Sequence, residues 1–308
     1  MKVNIVMYHY VREFAKSKYP NLKGLEFSKF QNQLDYLEKN FNIITAEHLI
    51  AYTKDSSVGM PDKPAMLTFD DGYIDHYQYV YPELKKRKLQ GQFFAPVQAI
   101  TDNIMLEVNL IHLILERSTD PVKLANRTKQ ILIANGLSPQ HVDAEYQRLA
   151  VPSRYDGGDV VFVKRVLQRD MPDDIRVKTI HTLFTEYVGK TPHDAAADLY
   201  MNVDQISEMV ADGMHFGGHG YSHCWLGYQD DETQAFEIRK SREFLGQVGA
   251  SMDDWIMCYP YGNHNDKTFD MLADLNCAIG LTATPGFADL ANEHKFGLSR
   301  FDTNDYPQ

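Results

Sequence analysis

The sequence predicts an α/β protein built on parallel strands and interrupted once by helices. Three observations predict this class. Short β-rich apolar runs alternate with segments of helical period, the chemistry-bearing residues fall where those runs end, and the alternation lapses between residues 102 and 213. With 308 residues, 44% of them hydrophobic and 24% charged, the chain can bury a large core in one or two domains.

Taken in order, VNIVMY (3–8) reads as a strand, and FSKFQNQLDYLEKNF as a helix because Phe27, Phe30, Leu34 and Leu37 recur at helical spacing. NIITA reads as a second strand and AEHLIAYTK as a second helix. AMLTF is a third strand that runs straight into Asp70 and Asp71. YVYPELKKRKL is again helical, and QFFAPV follows Gly91 as a strand. Within 102–213, MLEVNLIHLILERS, DPVKLANRTKQILIANG and VVFVKRVLQRD read as amphipathic helices, with Glu107 and His112 at the edge of the first apolar stripe. Alternation resumes at MHFGGHGYSH and continues through the helix QAFEIRKSREFLGQVG, the strand WIMCYPYG, the helix TFDMLADLN and the strand CAIGLTA. The expectation is one domain over 1–308 with a mainly helical insertion at 102–213.

Charge and cysteine content narrow the function. Lys and Arg total 31 against 42 Asp and Glu, a formal charge of -11, and no local basic patch stands out, which argues against a nucleic-acid partner. No apolar run reaches the length of a membrane span, and the first residues lack the apolar region of a signal peptide, so the expected compartment is the cytoplasm. Cys224, Cys258 and Cys277 are odd in number and lack zinc-ribbon spacing; they read as reduced thiols.

Asp70 and Asp71 are adjacent, and their charges repel. Asp-Asp-Gly is ordinary turn chemistry, but parallel strands carry their ligand chemistry at carboxyl ends, where this pair falls. His219 and His223 in HGYSH are four apart, so their imidazoles can converge on one metal. Gly217, Gly218 and Gly220 permit the tight backbone this needs. Two histidines and Asp71 leave open positions for water and substrate, as catalytic zinc requires, and Asp70 remains to take a proton from the activated water. Such a site also accepts cobalt, nickel, iron or manganese.

TFDDGY (68–73), HGYSH (219–223) and YPYG (259–262) resemble, in order and setting, the successive motifs of the polysaccharide deacetylases, carbohydrate esterase family 4, or NodB-homology domain. The resemblance spans roughly residues 3–100 and 214–305. It implies a distorted (β/α)7-type barrel and removal of acetyl groups from N-acetylated sugars. It further implies Asp70 as base, Asp71, His219 and His223 as metal ligands, and the Tyr261 backbone N–H as an oxyanion donor. Two departures stand out. Cys258 occupies the position where the family has arginine, and Arg300 in GLSRFD, at a later strand end, is the candidate replacement. The family's late strand ending in histidine is absent from the C-terminus. VMYH (6–9) supplies it at the front, as in the circularly permuted deacetylases acting on poly-N-acetylglucosamine, which makes His9 the candidate acid.

Trp225, Tyr261 and Tyr73 are the candidate substrate-binding residues, with Tyr228 a further stacking candidate; His76 and His264 read as helix or turn surface, and Cys224 as packing. The expected function is metal-dependent N-deacetylation of an N-acetylated amino sugar, expected as a surface-glycan precursor because the enzyme is expected in the cytoplasm. Two alternatives stand beside it. A barrel that lost its arginine could bind carbohydrate without turnover, and a DxD-type glycosyltransferase would use Asp70 and Asp71 but leave HGYSH and YPYG without a task.

Overall fold

Strand β1 (Lys2–Tyr8) opens a ring of seven parallel strands, followed by β2 (Pro64–Asp70), β3 (Gln92–Ala95), β4 (His215–Gly218), β5 (Trp255–Cys258), β6 (Cys277–Pro285) and β7 (Leu298–Asp302). Each pairs in parallel with the next in chain order, and β7 returns to β1, so the computed structural model, which describes residues 1–153 and 156–307, holds a closed α/β barrel. Closure removes every sheet edge in the ring, which is why β2 can be buried along its whole length, PAMLTFD, without an amphipathic alternation. Val3, Ile5, Met66, Phe94, Ile256, Ile279, Leu281 and Leu298 belong to one buried apolar cluster.

Helices α1 (Phe27–Asn40) and α2 (Ala46–Lys54) follow β1, and α3 (Tyr81–Arg87) follows β2 after a π turn over His76–Val80. The short α4 (Val97–Thr101) follows β3. The expected second strand shrinks to Asn42–Ile43, which pairs with the start of β2 outside the ring. The chain stops there because Thr45 caps α2, its hydroxyl accepting from the His48 amide.

Contact clustering divides the chain into two compact units. One holds Met1–Glu13, Gly24–Ile104 and everything from Asp198 onward, and the other holds Phe14–Lys23 with Met105–Ala197. The second is helical: α5 (Glu107–Arg117), α6 (Pro121–Ala134), α7 (Pro139–Leu149), α8 (Gly158–Gln168), α9 (Asp173–Val188) and α10 (Pro192–Ala196). Its bounds differ from the expected 102–213, because α11 (Val203–Ala211) belongs to the barrel unit and precedes β4. Helices α12 (Asp231–Gln247) and α13 (Asp266–Asp274) complete the barrel's outer ring. No helix among the described residues is long and apolar enough to cross a membrane.

The β1–β2 register sets two side chains next to each other. Tyr8 pairs with Phe69, so His9, the first residue past β1, and Asp70, the last of β2, emerge side by side at the carboxyl mouth of the barrel.

Candidate active site

Asp70 ends β2, and Asp71 and Gly72 then turn through left-handed backbone, with φ of 76° and 66°. A side chain at Gly72 would put its Cβ 2.8 Å from that of Ala95, so glycine is required there. This reversal sends the two carboxylates to different partners. Asp71 Oδ1 lies 3.2 Å from Nε2 of both His219 and His223, and its Oδ2 accepts from the Tyr73 hydroxyl at 2.6 Å.

Asp70 instead meets Arg300 in a two-pronged pair: Nη1 donates to Oδ1 at 3.0 Å and Nη2 to Oδ2 at 2.8 Å. Arg300 is itself fixed, donating from Nε to the Thr282 carbonyl at 2.7 Å and from Nη1 to the Thr68 hydroxyl at 3.1 Å. Both partners are only 2% exposed. Burial works to raise the Asp70 pKa, but the Arg300 guanidinium, helped by His9, holds it below the usual carboxylate range. Asp70 is therefore ionised at neutral pH. An arginine at position 258 would need oxygens that Arg300 already occupies.

The histidine loop is built from buried supports. Gly218 packs so closely that an added Cβ would sit 2.7 Å from both Ser241 Oγ and Trp255 Cζ3. Ser241 Oγ accepts from the His219 amide at 3.0 Å. Glu237, buried on α12, accepts from the Tyr221 and Ser222 amides at 2.6 and 2.9 Å and from the Ser222 hydroxyl at 2.6 Å. His219 Nδ1 donates to the Cys258 carbonyl at 2.7 Å, which leaves the lone pair on Nε2 facing Asp71. His223 sits at φ 62°, and its Nδ1 has no hydrogen-bond partner among the described residues. Gly218→Ala is expected to destabilise the fold by about 1–3 kcal/mol by overpacking, and to weaken metal retention because Ser241 must move; thermal melts with and without zinc check both.

Asp71 Oδ1 and the two Nε2 atoms belong to a buried set of donors lying within 4.8 Å of one another, fed by two segments, the turn after β2 and the loop after β4. One carboxylate oxygen and two imidazole nitrogens are the donors a divalent cation takes, and among the described residues no guanidinium neutralises Asp71 as Arg300 neutralises Asp70. The residues present fit such a cation. A second donor set, Asp70, His219 and Cys258, shares His219 with the first. It is the poorer site, because both Asp70 oxygens are bonded to Arg300 and burial raises the Cys258 pKa, keeping the thiol protonated.

His9 Nε2 is 3.9 Å from Asp70 Oδ2, and the His9 side chain is 41% exposed at the mouth. Tyr261 occupies left-handed backbone (φ 58°, ψ 11°), a strained conformation for a tyrosine. Its ring stacks on Trp225 (4.3 Å, 6°) and meets His223 edge-on at 4.8 Å, while Trp225 also stacks on the exposed Tyr228. The structure thus brings His9, Asp70, Asp71, His219, His223, Trp225, Tyr261 and Arg300 to one mouth.

Three expectations need correction. Tyr73 does not face a substrate: it is fully buried, stacked on Tyr10 at 4.0 Å, and acts on Asp71. His76 is also fully buried, and His264 is half-buried, stacked on Tyr259 and Phe269, so neither is simple surface. Glu237 and Ser241 were not anticipated, since a polar residue on an amphipathic helix carries no mark of facing inward.

A family model described as polysaccharide deacetylase matches residues 57–150 and 175–280, well over half of the chain. Among curated proteins, "Putative polysaccharide deacetylase YxkH" of Bacillus subtilis (strain 168) is 27% identical over 146 residues, 47% of this chain and 48% of its own, so the match spans about half of that relative. Among solved structures, the Streptococcus pyogenes deacetylase PplD in complex with acetate superposes with a TM-score of 0.57 at 19% identity, covering 98% of this chain and 92% of that one. IcaB from Ammonifex degensii gives 0.56 at 17%, covering 98% and 91%, and the BpsB deacetylase domain from Bordetella bronchiseptica gives 0.56 at 15%, covering 98% and 95%. At these identities the structural likeness speaks for the fold.

Proposed function

We propose, from the premise that the chain belongs to the polysaccharide deacetylase family, that it hydrolyses the acetamide of an N-acetylated amino sugar in a glycan or glycan precursor. The observation that carries the reading is the division of labour between the adjacent aspartates: Asp71 turned to two imidazoles, Asp70 held ionised and apart by Arg300.

Asp71, His219 and His223 would hold a divalent cation, zinc being the first choice and cobalt, nickel, iron or manganese the others. When bound there, it supplies Lewis acidity, polarising a carbonyl and acidifying water. The chain's own groups do the rest. Asp70 accepts the proton that water loses as it adds to the acetyl carbon. His9, on the same side of the mouth, donates a proton to the amine nitrogen as the C–N bond breaks, giving acetate and a free amino sugar. The Tyr261 backbone N–H is our candidate donor to the oxyanion, its position fixed by the strained turn and the Trp225 stack. Tyr228, exposed and stacked on Trp225, offers an aromatic face to a sugar ring, with Trp225 as its backing.

The Arg300–Asp70 pair supports turnover over a binding protein, because it gives Asp70 a cationic partner although Cys258 stands where the family has arginine. PplD is described in complex with acetate, the product this reaction would release. Incubating the purified protein with N-acetylglucosamine oligomers is expected to release acetate and amine in equal amounts, to stop with a chelator, and to resume on adding zinc. Saturable binding of the oligomer without acetate release would instead support the binding barrel.

A further inference from the structure

Three contacts tie the segment leaving β1 to the segment leaving β2. Tyr10 stacks on Tyr73, Arg12 Nε donates to Asp75 Oδ2 at 2.8 Å, and the His76 ring bonds the His9 backbone carbonyl at 2.9 Å. A carbonyl only accepts, so His76 Nε2 carries the hydrogen, and neutral His76 then leaves Nδ1 bare. That Nδ1 is buried and has no hydrogen-bond partner among the described residues. The ring is packed among Phe69, Tyr73 and Phe93, each with its centroid 5.7 Å away, and burial pulls its pKa down to about 4. A phenylalanine would fill this space without stranding a polar atom. What histidine adds is the donor, and the donor is aimed at the main chain of His9.

We propose that His76 is a positioning residue: its Nε2–H fixes the backbone of His9 and so holds the His9 imidazole beside Asp70. The idea rests on the reading of His9 as the acid. His9 is the first residue past β1, beyond the last paired position at Tyr8, and its side chain is 41% exposed. Its main chain, from which the side chain projects, is gripped by His76 from the fully buried side. The π turn that begins at His76, with the Tyr81 amide donating to the His76 carbonyl, is where the helix is offset to present this ring.

The test uses the zinc-loaded protein, N-acetylglucosamine oligomers as probe, and the variants His76→Phe, His76→Gln and His9→Ala. His76→Phe keeps the ring and drops the donor; it should lower kcat by about 10–100-fold, the scale for a displaced catalytic group, with KM within about twofold. His76→Gln, which keeps an N–H, should recover most of the loss. In the His9→Ala background His76→Phe should add less than about threefold, because both act through one group. An unchanged kcat in His76→Phe, or the same loss with and without His9, would overturn the proposal. A second measurement needs no turnover. Long-range ¹⁵N NMR should show His76 as the neutral Nε2–H tautomer at pH 7, and the His9 ring signals should shift in His76→Phe; an Nδ1–H tautomer or unmoved His9 signals would also overturn it. If His9→Ala leaves kcat intact, the acid assignment is what fails, and the NMR result decides the positioning contact separately.

Discussion

Replacing Asp70 by asparagine is expected to cut acetate release by about 10³-fold, within the range for loss of a positioned general base, while zinc content stays unchanged. Both halves matter. The amide oxygen of the asparagine can still accept from Arg300, but the side chain cannot take a proton from water, so turnover falls. The proposed ligands, Asp71, His219 and His223, are untouched, so metal analysis of the dialysed variant should match the parent. A variant that loses its zinc along with its activity would place Asp70 among the ligands and dissolve the division of labour proposed for the pair. The isosteric change also breaks a buried ion pair, so activity should be compared well below the melting temperature of each protein.

Arg300→Met should produce the largest loss of stability, about 3–5 kcal/mol, because it leaves the Asp70 carboxylate buried without its partner. Urea unfolding of the metal-free protein measures it. The sign of the pH dependence comes from the direction of the shift. In the parent, Asp70 titrates below its unfolded value, so its contribution to stability is present above the unfolded pKa and lost as pH falls through the folded one. Without Arg300, burial dominates and the Asp70 pKa rises above the unfolded value, so the variant loses stability as pH rises. The gap between the two proteins should widen from about pH 4 toward pH 7. A gap independent of pH would mean that the pair contributes packing rather than charge. Arg300→Lys should restore only part of the stability, since an ammonium cannot make the two parallel bonds.

The alternation of apolar runs and helical periods made the barrel strands legible, because a closed parallel ring buries strands whole and leaves compact apolar runs such as AMLTF and WIMC. The residues proposed as ligands stood out because they sit beside glycines at strand ends, where composition itself changes. Arg300 could be named as a candidate, but its partner could not be derived from local pattern: Thr68 and Asp70 lie more than two hundred residues away, and nothing local to GLSRFD marks the side chain as turning inward. Tyr73 misled for a related reason. The strand's alternation ends at the left-handed Asp71, so the side of the sheet to which residue 73 belongs could not be counted forward from β2. His76 and Glu237 obey the same rule, each a buried polar group bonded to a backbone segment distant in sequence. The helical unit showed three of its helices by their apolar stripes, whereas α7 is mostly polar and buries only Val142 and Leu149, α9 carries a weaker stripe, and residues 203–211 read as insertion although their helix serves the barrel.

The central claim is that a divalent ion sits on Asp71, His219 and His223 and that Arg300 keeps Asp70 out of its coordination. Zinc K-edge X-ray absorption on the zinc-loaded protein addresses this most directly, since the competing donor set includes the Cys258 thiol. Nitrogen and oxygen ligands alone at about 2.0–2.2 Å, with two imidazole scattering paths, make up the predicted spectrum. A sulfur contribution at about 2.3 Å would put the ion on Asp70, His219 and Cys258 instead, and would contradict the account.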